Sequence, residues 1–138
     1  MTETDLNNKN LVLISYLDSI IDGYTFKAEF STNDMDLKVC LVQETSGEKV
    51  VFYNNDNPLF NYFTINVYGD NIKEQYEVIN QIGRLIGKSV LIDYTVGNTT
   101  QKWQLIFKQM ANPRAIQYMG IRRVAYTTTL QCVVNRVA

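Results

Sequence analysis

The spacing of the hydrophobic residues changes along this chain, and the order of the changes restricts the fold more than any other feature. Residues 4–22 and 71–87 carry apolar side chains at the 3.6-residue period of an amphipathic helix. The segments between and after them alternate apolar and polar residues, which is the period of a half-buried strand. Because the strands cluster instead of alternating strictly with helices, we predict an α+β fold. We expect a mostly antiparallel sheet of about four to six strands, with two helices packed on one face.

The first predicted helix has recognisable ends. Thr4 or Asp5 can cap its start, and Gly23 can take the left-handed conformation that often follows a helix. We expect one face of this helix to pack on the sheet. The apolar residues of that face are Leu6, Leu13, Leu17, Ile20 and Ile21.

The second predicted helix follows the capping-box pattern. Asp70 or Asn71 can cap its start, Glu74 lies three residues after Asn71, and Gly87 ends the segment. We expect its apolar stripe to face the core. The stripe consists of Ile72, Tyr76, Ile79, Ile82 and Ile86.

Segments of alternating polarity predict the strands. The strongest is the strand at residues 60–68, which places Phe63, Ile65 and Val67 on one face. The turn-forming sequence STND joins the first two strands, and Pro113 closes the last but one. The predicted strands are residues 24–30, 37–42, 49–53, 60–68, 90–94, 102–110 and 123–134.

Composition excludes several classes of function. A length of 138 residues with 46% hydrophobic content fits one domain, residues 1–138, with a single core. The chain has no histidine, no GxxxxGK[ST] loop and no GxGxxG motif, so the commonest general base and phosphate-binding loops are missing. We interpret the carboxylate pairs, Asp34 with Asp36 and Glu74 with Glu77, as solvated surface charges. We therefore predict no enzyme activity, no cofactor and no metal site.

The cysteines and the apolar stretches exclude further classes of site and location. Cys40 and Cys132 are the only cysteines, and no CxxC spacing accompanies them. We expect both to be small buried residues with reduced thiols. The longest apolar stretches, LVLISYL and VVFY, are far shorter than the ~20 residues of a membrane span, so we expect no membrane partner.

The charges are divided unevenly along the chain. Residues 94–138 contain six bases and no acid, whereas residues 1–93 contain fourteen acids and seven bases. The formal charge of −1 is therefore the sum of −7 and +6. Separated charges suit head-to-tail contact with copies of the same chain, or contact with an anionic ligand.

The basic final third also contains aromatic residues, which makes nucleic-acid binding an alternative to consider. Trp103 and Phe107 fall on the apolar face of their predicted strand, so we expect them in the core. A stacking platform needs exposed aromatic rings with bases around them. Only Tyr118, between Arg114 and Arg122, fits that description.

The order of the elements resembles one known family. Its features are the strand at residues 60–68, the turn 69–71, the helix that ends at Gly87, the strand from Lys102, the crossing PRAIQYMGIRR and the β-rich end. Together they resemble the tail terminator proteins of long-tailed bacteriophages, a group also called tail completion or minor capsid proteins. The leading helix and the first strands also occupy the positions found in that family, so the resemblance covers most of the chain.

The resemblance implies a structural virion protein of the tail or neck that assembles in the host cytoplasm. Its copies would form a hexameric ring that caps the tail tube, stops the addition of tube protein and joins the tail to the head connector protein. DNA would pass through the ring without specific binding. In a ring each contact joins two different patches, so an acidic region can meet a basic one. We expect Arg114, Tyr118, Arg122 and Arg123 to contact partners.

Two other functions remain open. The first is another connector or neck component of the same virion, and the second, ranked below it, is a nucleic-acid-binding module. A terminator halts the growth of the tail tube, whereas another neck component leaves it unchanged. A nucleic-acid-binding module would bind DNA tightly and in a salt-sensitive manner.

Overall fold

The computed structural model describes residues 3–29, 38–44, 60–69, 71–117 and 124–137. These residues form two helices and seven strands, which confirms the predicted α+β class. The strand predicted at residues 49–53 lies outside the described residues. In chain order the elements are α1 (Glu3–Ile20), β1 (Thr25–Lys27), β2 (Val39–Glu44), β3 (Phe60–Gly69), α2 (Ile72–Gly83), β4 (Ser89–Val96), β5 (Thr99–Met110), β6 (Arg114–Gln117) and β7 (Val124–Arg136).

All seven described strands belong to one sheet. Its order is β1-β2-β3-β7-β5-β4, with β6 beside β7. The long strand β7 pairs with β3 along one edge, and with both β5 and β6 along the other. The segment after Pro113 forms the short strand β6, where the sequence interpretation placed a crossing between strands.

One face of the sheet is buried under both helices. In β3, β5 and β7 every second side chain belongs to one hydrophobic cluster, as the alternation of apolar and polar residues in the sequence predicts. The helix residues in that cluster include Val12, Leu13, Leu17, Val78, Ile79 and Ile82. The residues of β3, β5 and β7 with no exposed surface are Phe63, Ile65, Val67, Trp103, Leu105, Phe107, Leu130 and Cys132. Full burial of an aliphatic or aromatic side chain contributes about 1.5–3 kcal/mol, so this face is the main source of stability.

The helix α1 begins earlier than its sequence predicts. Thr4 and Asp5 lie within its first turn instead of capping it, since the helix starts at Glu3. After the helix ends, Gly23 has a φ of +90°, as predicted. The Asp18 carboxylate accepts a hydrogen bond from the Phe26 backbone N–H at 3.1 Å, which ties the end of α1 to β1.

The start of α2 confirms the predicted cap. Asn71 is extended, with φ −119° and ψ 110°, and its side-chain oxygen accepts a hydrogen bond from the Glu74 N–H at 3.2 Å. The regular helix ends at Gly83, and a turn then leads to Gly87, whose φ is +88°. The predicted helix therefore extended one turn too far.

The buried face of α2 differs from the predicted stripe. Ile72 and Tyr76 are 53% and 48% exposed, whereas Gln75 and Val78 are buried beside Ile79 and Ile82. The prediction was correct for Ile79 and Ile82 and wrong for Ile72 and Tyr76, because it assigned the core face from apolar residues alone, and Gln75 is polar. Successive side chains of an α-helix are rotated by about 100° around its axis. With Gln75 facing the core, Tyr76 therefore lies at the edge of the buried face.

The pairing of β1 with β2 also corrects the sequence interpretation. A tight turn at STND would favour a hairpin, but these two strands are parallel, with Thr25 beside Val39 and Lys27 beside Leu41. Parallel neighbours need a long connection, because the chain must return to the same end of the sheet. Residues 28–38 provide it, and STND lies outside the described residues.

Both cysteines are buried and free, as predicted. Burial raises the pKa of the Cys132 thiol to about 12, and a hydrogen bond with the Ile106 backbone partly opposes this effect. Burial and the Asp18 carboxylate raise the pKa of the Cys40 thiol. Thiolates are the reactive form of cysteine, so both groups are shielded by their position and by their protonation.

We therefore expect neither thiol to react with a disulfide reagent at about pH 8 until the protein unfolds. The protonated thiols favour the folded state, so stability should fall as pH rises from the ordinary thiol value of 9.0 toward about 12. Labelling with Ellman's reagent with and without denaturant measures the first effect, and urea unfolding at each pH measures the second. Rapid labelling of the native protein would contradict the buried positions.

Gly69, at the junction of β3 and α2, gives a sharp test of core packing. A Cβ atom at this position would lie 2.9 Å from Tyr24 Oη and 3.3 Å from Gln75 Nε2. We expect Gly69→Ala to lower the free energy of unfolding by about 1–3 kcal/mol, because both neighbours are buried. Urea unfolding measures this change.

Gly83→Ala is the matched control, since a Cβ there meets only the flexible Met110 Cε at 3.3 Å. Alanine is favoured over glycine in a helix by up to about 1 kcal/mol, so this variant should be as stable as the wild type or more so. Equal destabilisation of the two variants would show that the contact of Gly69 with Tyr24 and Gln75 is not tight.

Candidate interaction surface

The strands β6 and β7 form a hairpin at one end of the sheet. Arg114 pairs with Thr127 and Gln117 pairs with Val124, so residues 118–123 connect the two strands. The hairpin uses the same edge of β7 that pairs with β5 at residues 130–136. β5 and β6 therefore lie along one edge of β7 as two halves of an interrupted strand.

The interruption between β5 and β6 has a local cause. The ladder continues to Ala111, whose N–H donates to Thr129 O at 2.9 Å, and whose carbonyl accepts from Thr128 Oγ1 at 2.6 Å. Pro113 follows and has no N–H to donate, so it cannot continue a strand ladder. The chain resumes pairing at Arg114, the residue that begins the hairpin.

The structure places one of the four predicted contact residues. Arg114 is exposed at the base of the hairpin, and no ion pair to it occurs within the described part of the chain. Tyr118, Arg122 and Arg123 lie outside the described residues, in the connection between β6 and β7. The chain order alone therefore assigns these three residues to the same hairpin as Arg114.

Burial removes two aromatic rings of the basic final third from any surface on which nucleic-acid bases could stack. Trp103 and Phe107 have no exposed surface, as expected for core residues. The Trp103 indole N–H donates to Gln101 Oε1 at 3.0 Å inside the protein. Neither ring can stack on a base without a rearrangement of the core.

The ion pairs that Glu74, Glu77 and Asp93 form with basic residues are well exposed. Glu74 binds Lys38 at 2.5 Å, Glu77 binds Arg84 at 3.5 Å, and Asp93 binds Lys102 at 3.4 Å. Exposed pairs contribute about 0–1 kcal/mol each. Glu74 and Glu77 are thus surface charges, as predicted, while Asp34 and Asp36 lie outside the described residues. Within the described ranges no cluster of three or more acids or cysteines could hold a metal ion.

A cavity of about 210 Å³ opens between the segment that follows α1, residues 22–24, and one side of α2. Three carboxylates and one ammonium group line it, so its walls are acidic. The Lys38 Nζ lies 6.0 Å from the centre of the Tyr24 ring and binds Glu74, which shows that the walls accept a cation. The lining residues are Asp22, Gly23, Tyr24, Lys38, Glu74, Glu77, Val78 and Gln81. We refer to this space as the acidic cavity.

The acidic cavity and the hairpin lie on opposite sides of α2. On one side, Tyr76 meets Tyr126 of β7 with ring centres 5.9 Å apart. On the other side, Glu74 meets Lys38, the residue that precedes β2. Sequence reasoning missed the cavity because its residues come from separate segments that only the tertiary fold brings together.

A second cavity, of about 240 Å³, lies near the point where the hairpin begins. Here the pairing of β5 with β7 shifts register between Phe107 and Gln109, as expected for a bulge. Its lining contains no charged group and consists of Tyr62, Gln109, Met110, Ala111, Thr129 and Gln131. This cavity therefore offers neutral hydrogen-bonding groups instead of charge.

Two further polar groups are affected by burial. Lys9 in α1 is only 7% exposed; burial lowers the pKa of its ammonium group, and the Glu44 carboxylate opposes that effect. Burial also raises the pKa of the Tyr68 hydroxyl, which a hydrogen bond with Asn66 partly offsets. Lys9 therefore belongs to the packed part of α1 instead of the charged surface.

Comparison with known proteins adds no family assignment. No family model matches the chain, and a search of curated proteins finds no match. None of the described helices is both long and apolar enough to cross a membrane.

Charge reversal of the hairpin arginines tests their role as contact residues. The sequence predicts that these arginines contact partners, so we expect them to lie at the surface of the free chain. Since exposed charges contribute little to folding, Arg122→Glu with Arg123→Glu should leave the circular dichroism spectrum and the melting temperature nearly unchanged. The same variant should weaken association with partners. Sedimentation velocity at several protein concentrations measures the second effect.

The matched control is Lys73→Glu with Lys88→Glu, which changes the net charge by the same amount at two exposed sites away from the hairpin. We expect this control to associate like the wild type. An unfolded arginine variant would instead show that these side chains hold the core together.

Proposed function

We propose that this protein is a structural virion component that caps the tail tube as a ring, stops tube polymerisation and joins the tail to the head connector. The observation that carries the proposal is the β6–β7 hairpin. It begins with the exposed Arg114 and belongs to the acid-free final third of the chain. A basic element at one end of the sheet is suited to contact with an acidic partner surface.

The geometry favours contact between unlike surfaces. A cyclic ring with more than two subunits uses head-to-tail contacts, in which one patch meets a different patch on the neighbour. The hairpin and the acidic cavity are two such patches, because they lie on opposite sides of α2. Complementary charge at such a contact speeds association and suppresses wrong partners.

The edge of the sheet also supports a role in assembly. Among the described strands, β4 is the last in the order and spans Ser89–Val96, with Leu91 70% exposed. Exposed strand edges are templates for pairing with other chains, and proteins that stay single usually block them with charge or proline. An apolar residue at this edge is consistent with a protein that is covered by partners in its assembled state.

Capping a polymer depends on shape and charge instead of chemistry. The ring must present one face that matches the growing tube and another that does not accept further tube subunits. Different exposed surfaces on the two sides of one subunit provide such asymmetry. The resemblance to tail terminators and the separated surface charges therefore support the same proposal.

The decisive experiment adds this protein to tail tube protein during polymerisation and measures tube length by electron microscopy. We expect substoichiometric amounts to stop growth and to leave a ring at one tube end. Arg122→Glu with Arg123→Glu should need a higher concentration for the same effect, whereas Lys73→Glu with Lys88→Glu should not.

Unchanged tube length at saturating protein would exclude the terminator function and favour another neck component. A strict monomer that binds DNA tightly, with an affinity that falls steeply with salt, would favour a nucleic-acid-binding module. The tube-length assay and the DNA-binding assay use the same protein preparation, so their results can be compared directly.

A further inference from the structure

We infer that the second cavity, of about 240 Å³, binds an unpaired adenine base of single-stranded DNA on the sheet face opposite the helices. The base stacks on the Tyr62 ring and forms hydrogen bonds with the side-chain amides of Gln109 and Gln131. The inference goes beyond the proposed capping function and does not depend on the formation of a ring.

Three of the lining side chains form a row across three strands. Gln131 of β7 pairs with Tyr62 of β3 on one edge and with Gln109 of β5 on the other. Side chains of directly paired residues lie on the same face of a sheet. Leu130 and Cys132, the neighbours of Gln131, are buried in the cluster under the helices, so the row lies on the opposite face.

The bulge in β5 gives Gln109 its place in this row. The register of β5 against β7 shifts by one residue at Lys108. Without the shift, Gln109 would share the buried face of Phe107, because alternate residues of a strand share a face. The next residue, Met110, reaches α2 instead, where its Cε lies 3.3 Å from the position of a Cβ at Gly83. Gln109 therefore faces away from the helices, and bulges often re-aim side chains in this way beside functional sites.

The chemistry of the row suits a nucleobase. A glutamine amide has one acceptor and two donors, and it can bind the amino group and a ring nitrogen of adenine together. Unpaired bases also stack on aromatic side chains, and the Tyr62 ring is half-buried at the cavity. Within the described part of the chain no hydrogen bond involves the Gln109 or Gln131 side chain. Both amides are therefore available to a ligand.

The size of the second cavity favours one base over a larger ligand. Sites for drug-sized molecules have volumes of about 300–1,000 Å³, whereas this cavity has about 240 Å³. It has room for one ring system, such as a base, and not for a chain of sugar rings.

The charge around the second cavity favours a nucleic acid. Arg114 pairs with Thr127, which lies two residues along β7 from the lining residue Thr129. The exposed Arg114 is therefore on the same face of the sheet as the cavity. Five of the six lining residues belong to the acid-free segment 94–138, so a phosphate beside the bound base meets basic surroundings.

The test measures the fluorescence anisotropy of labelled oligodeoxyadenylate and oligodeoxycytidylate with the full chain. We expect the wild type to bind the adenine strand at least about fivefold more tightly, because a bidentate amide contact discriminates between bases at that level. Gln109→Ala should lose most of this preference. Tyr62→Leu should bind the adenine strand at least about fivefold more weakly, since it removes the stacking ring.

Two matched controls change the same residue types elsewhere. Gln104→Ala alters a glutamine of the same strand, β5, whose amide donates to Ser89 Oγ at 3.2 Å. Tyr76→Leu removes a tyrosine of α2 that is 48% exposed and does not line the second cavity. Both controls should bind DNA like the wild type, and circular dichroism confirms that each variant is folded.

A second measurement locates the base without relying on the fold of a variant. We expect the side-chain amide NMR signals of Gln109 and Gln131 to shift when oligodeoxyadenylate is added to the wild type. The signals of Gln104 should stay in place. Gln109 is exposed, so Gln109→Ala also remains a valid test if Tyr62→Leu does not fold.

Four results would overturn the inference. The first is no binding of oligodeoxyadenylate at the highest concentration reached, and the second is equal binding of the two strands by the wild type. The third is unchanged binding by Gln109→Ala and Tyr62→Leu, which would locate the DNA elsewhere. The fourth is a shift of the two amide signals by a maltooligosaccharide and not by DNA, which would identify a carbohydrate site.

Discussion

The pairing of β7 with its neighbours on both edges is the interaction on which the rest of the structure depends. β3 pairs with it from Val124 to Val133, while β5 and β6 share the opposite edge. The side-chain period of a strand is two, so a slip of one residue would turn Leu130 and Cys132 away from the helices. The registers on both edges must therefore agree, and this agreement holds the buried face in place.

The two helices depend on that face and in turn create the surfaces around it. α2 follows β3 with only a short connection, so Gly69 lies close to Tyr24 and Gln75, and the end of α1 is held near the start of α2. This arrangement leaves the acidic cavity between α2 and the residues 22–24 that follow α1. The position of the cavity thus depends on the packing of α2 on the sheet and on the connecting segments at residues 22–24 and Lys38.

Strong periodicity made most of the fold predictable from sequence. β3, β5 and β7 alternate apolar residues over many positions, and the Asn71 cap is a local hydrogen bond that the sequence pattern encodes directly. The failures have physical causes. Gln75 is polar and buried, so apolar spacing assigned the wrong face to α2. The parallel pairing of β1 and the short strand β6 depend on long-range hydrogen bonds that no local pattern records.

The candidate site was less predictable than the fold. The distribution of charged residues predicts Arg114 and the arginines near it as contact residues, because the acid-free segment can be identified from the sequence alone. The cavity could not be found in that way, since Asp22, Lys38 and Glu77 are far apart along the chain and meet only after folding. A buried lysine such as Lys9 is likewise invisible to charge counting, which treats every charge as exposed.

The division of charge has no explanation in the stability of a single chain. The ion pair of Lys102 with Asp93 joins the acid-free third to the rest of the chain, and it is exposed on both sides. Exposed pairs contribute little to folding, and the core of β5 and β7 is built from uncharged side chains. Like charges collected in one segment repel one another slightly, and this repulsion does not stabilise the folded chain. A field of one sign does act at a distance on an oppositely charged partner, so the charge division supports the proposal that this chain associates with other molecules.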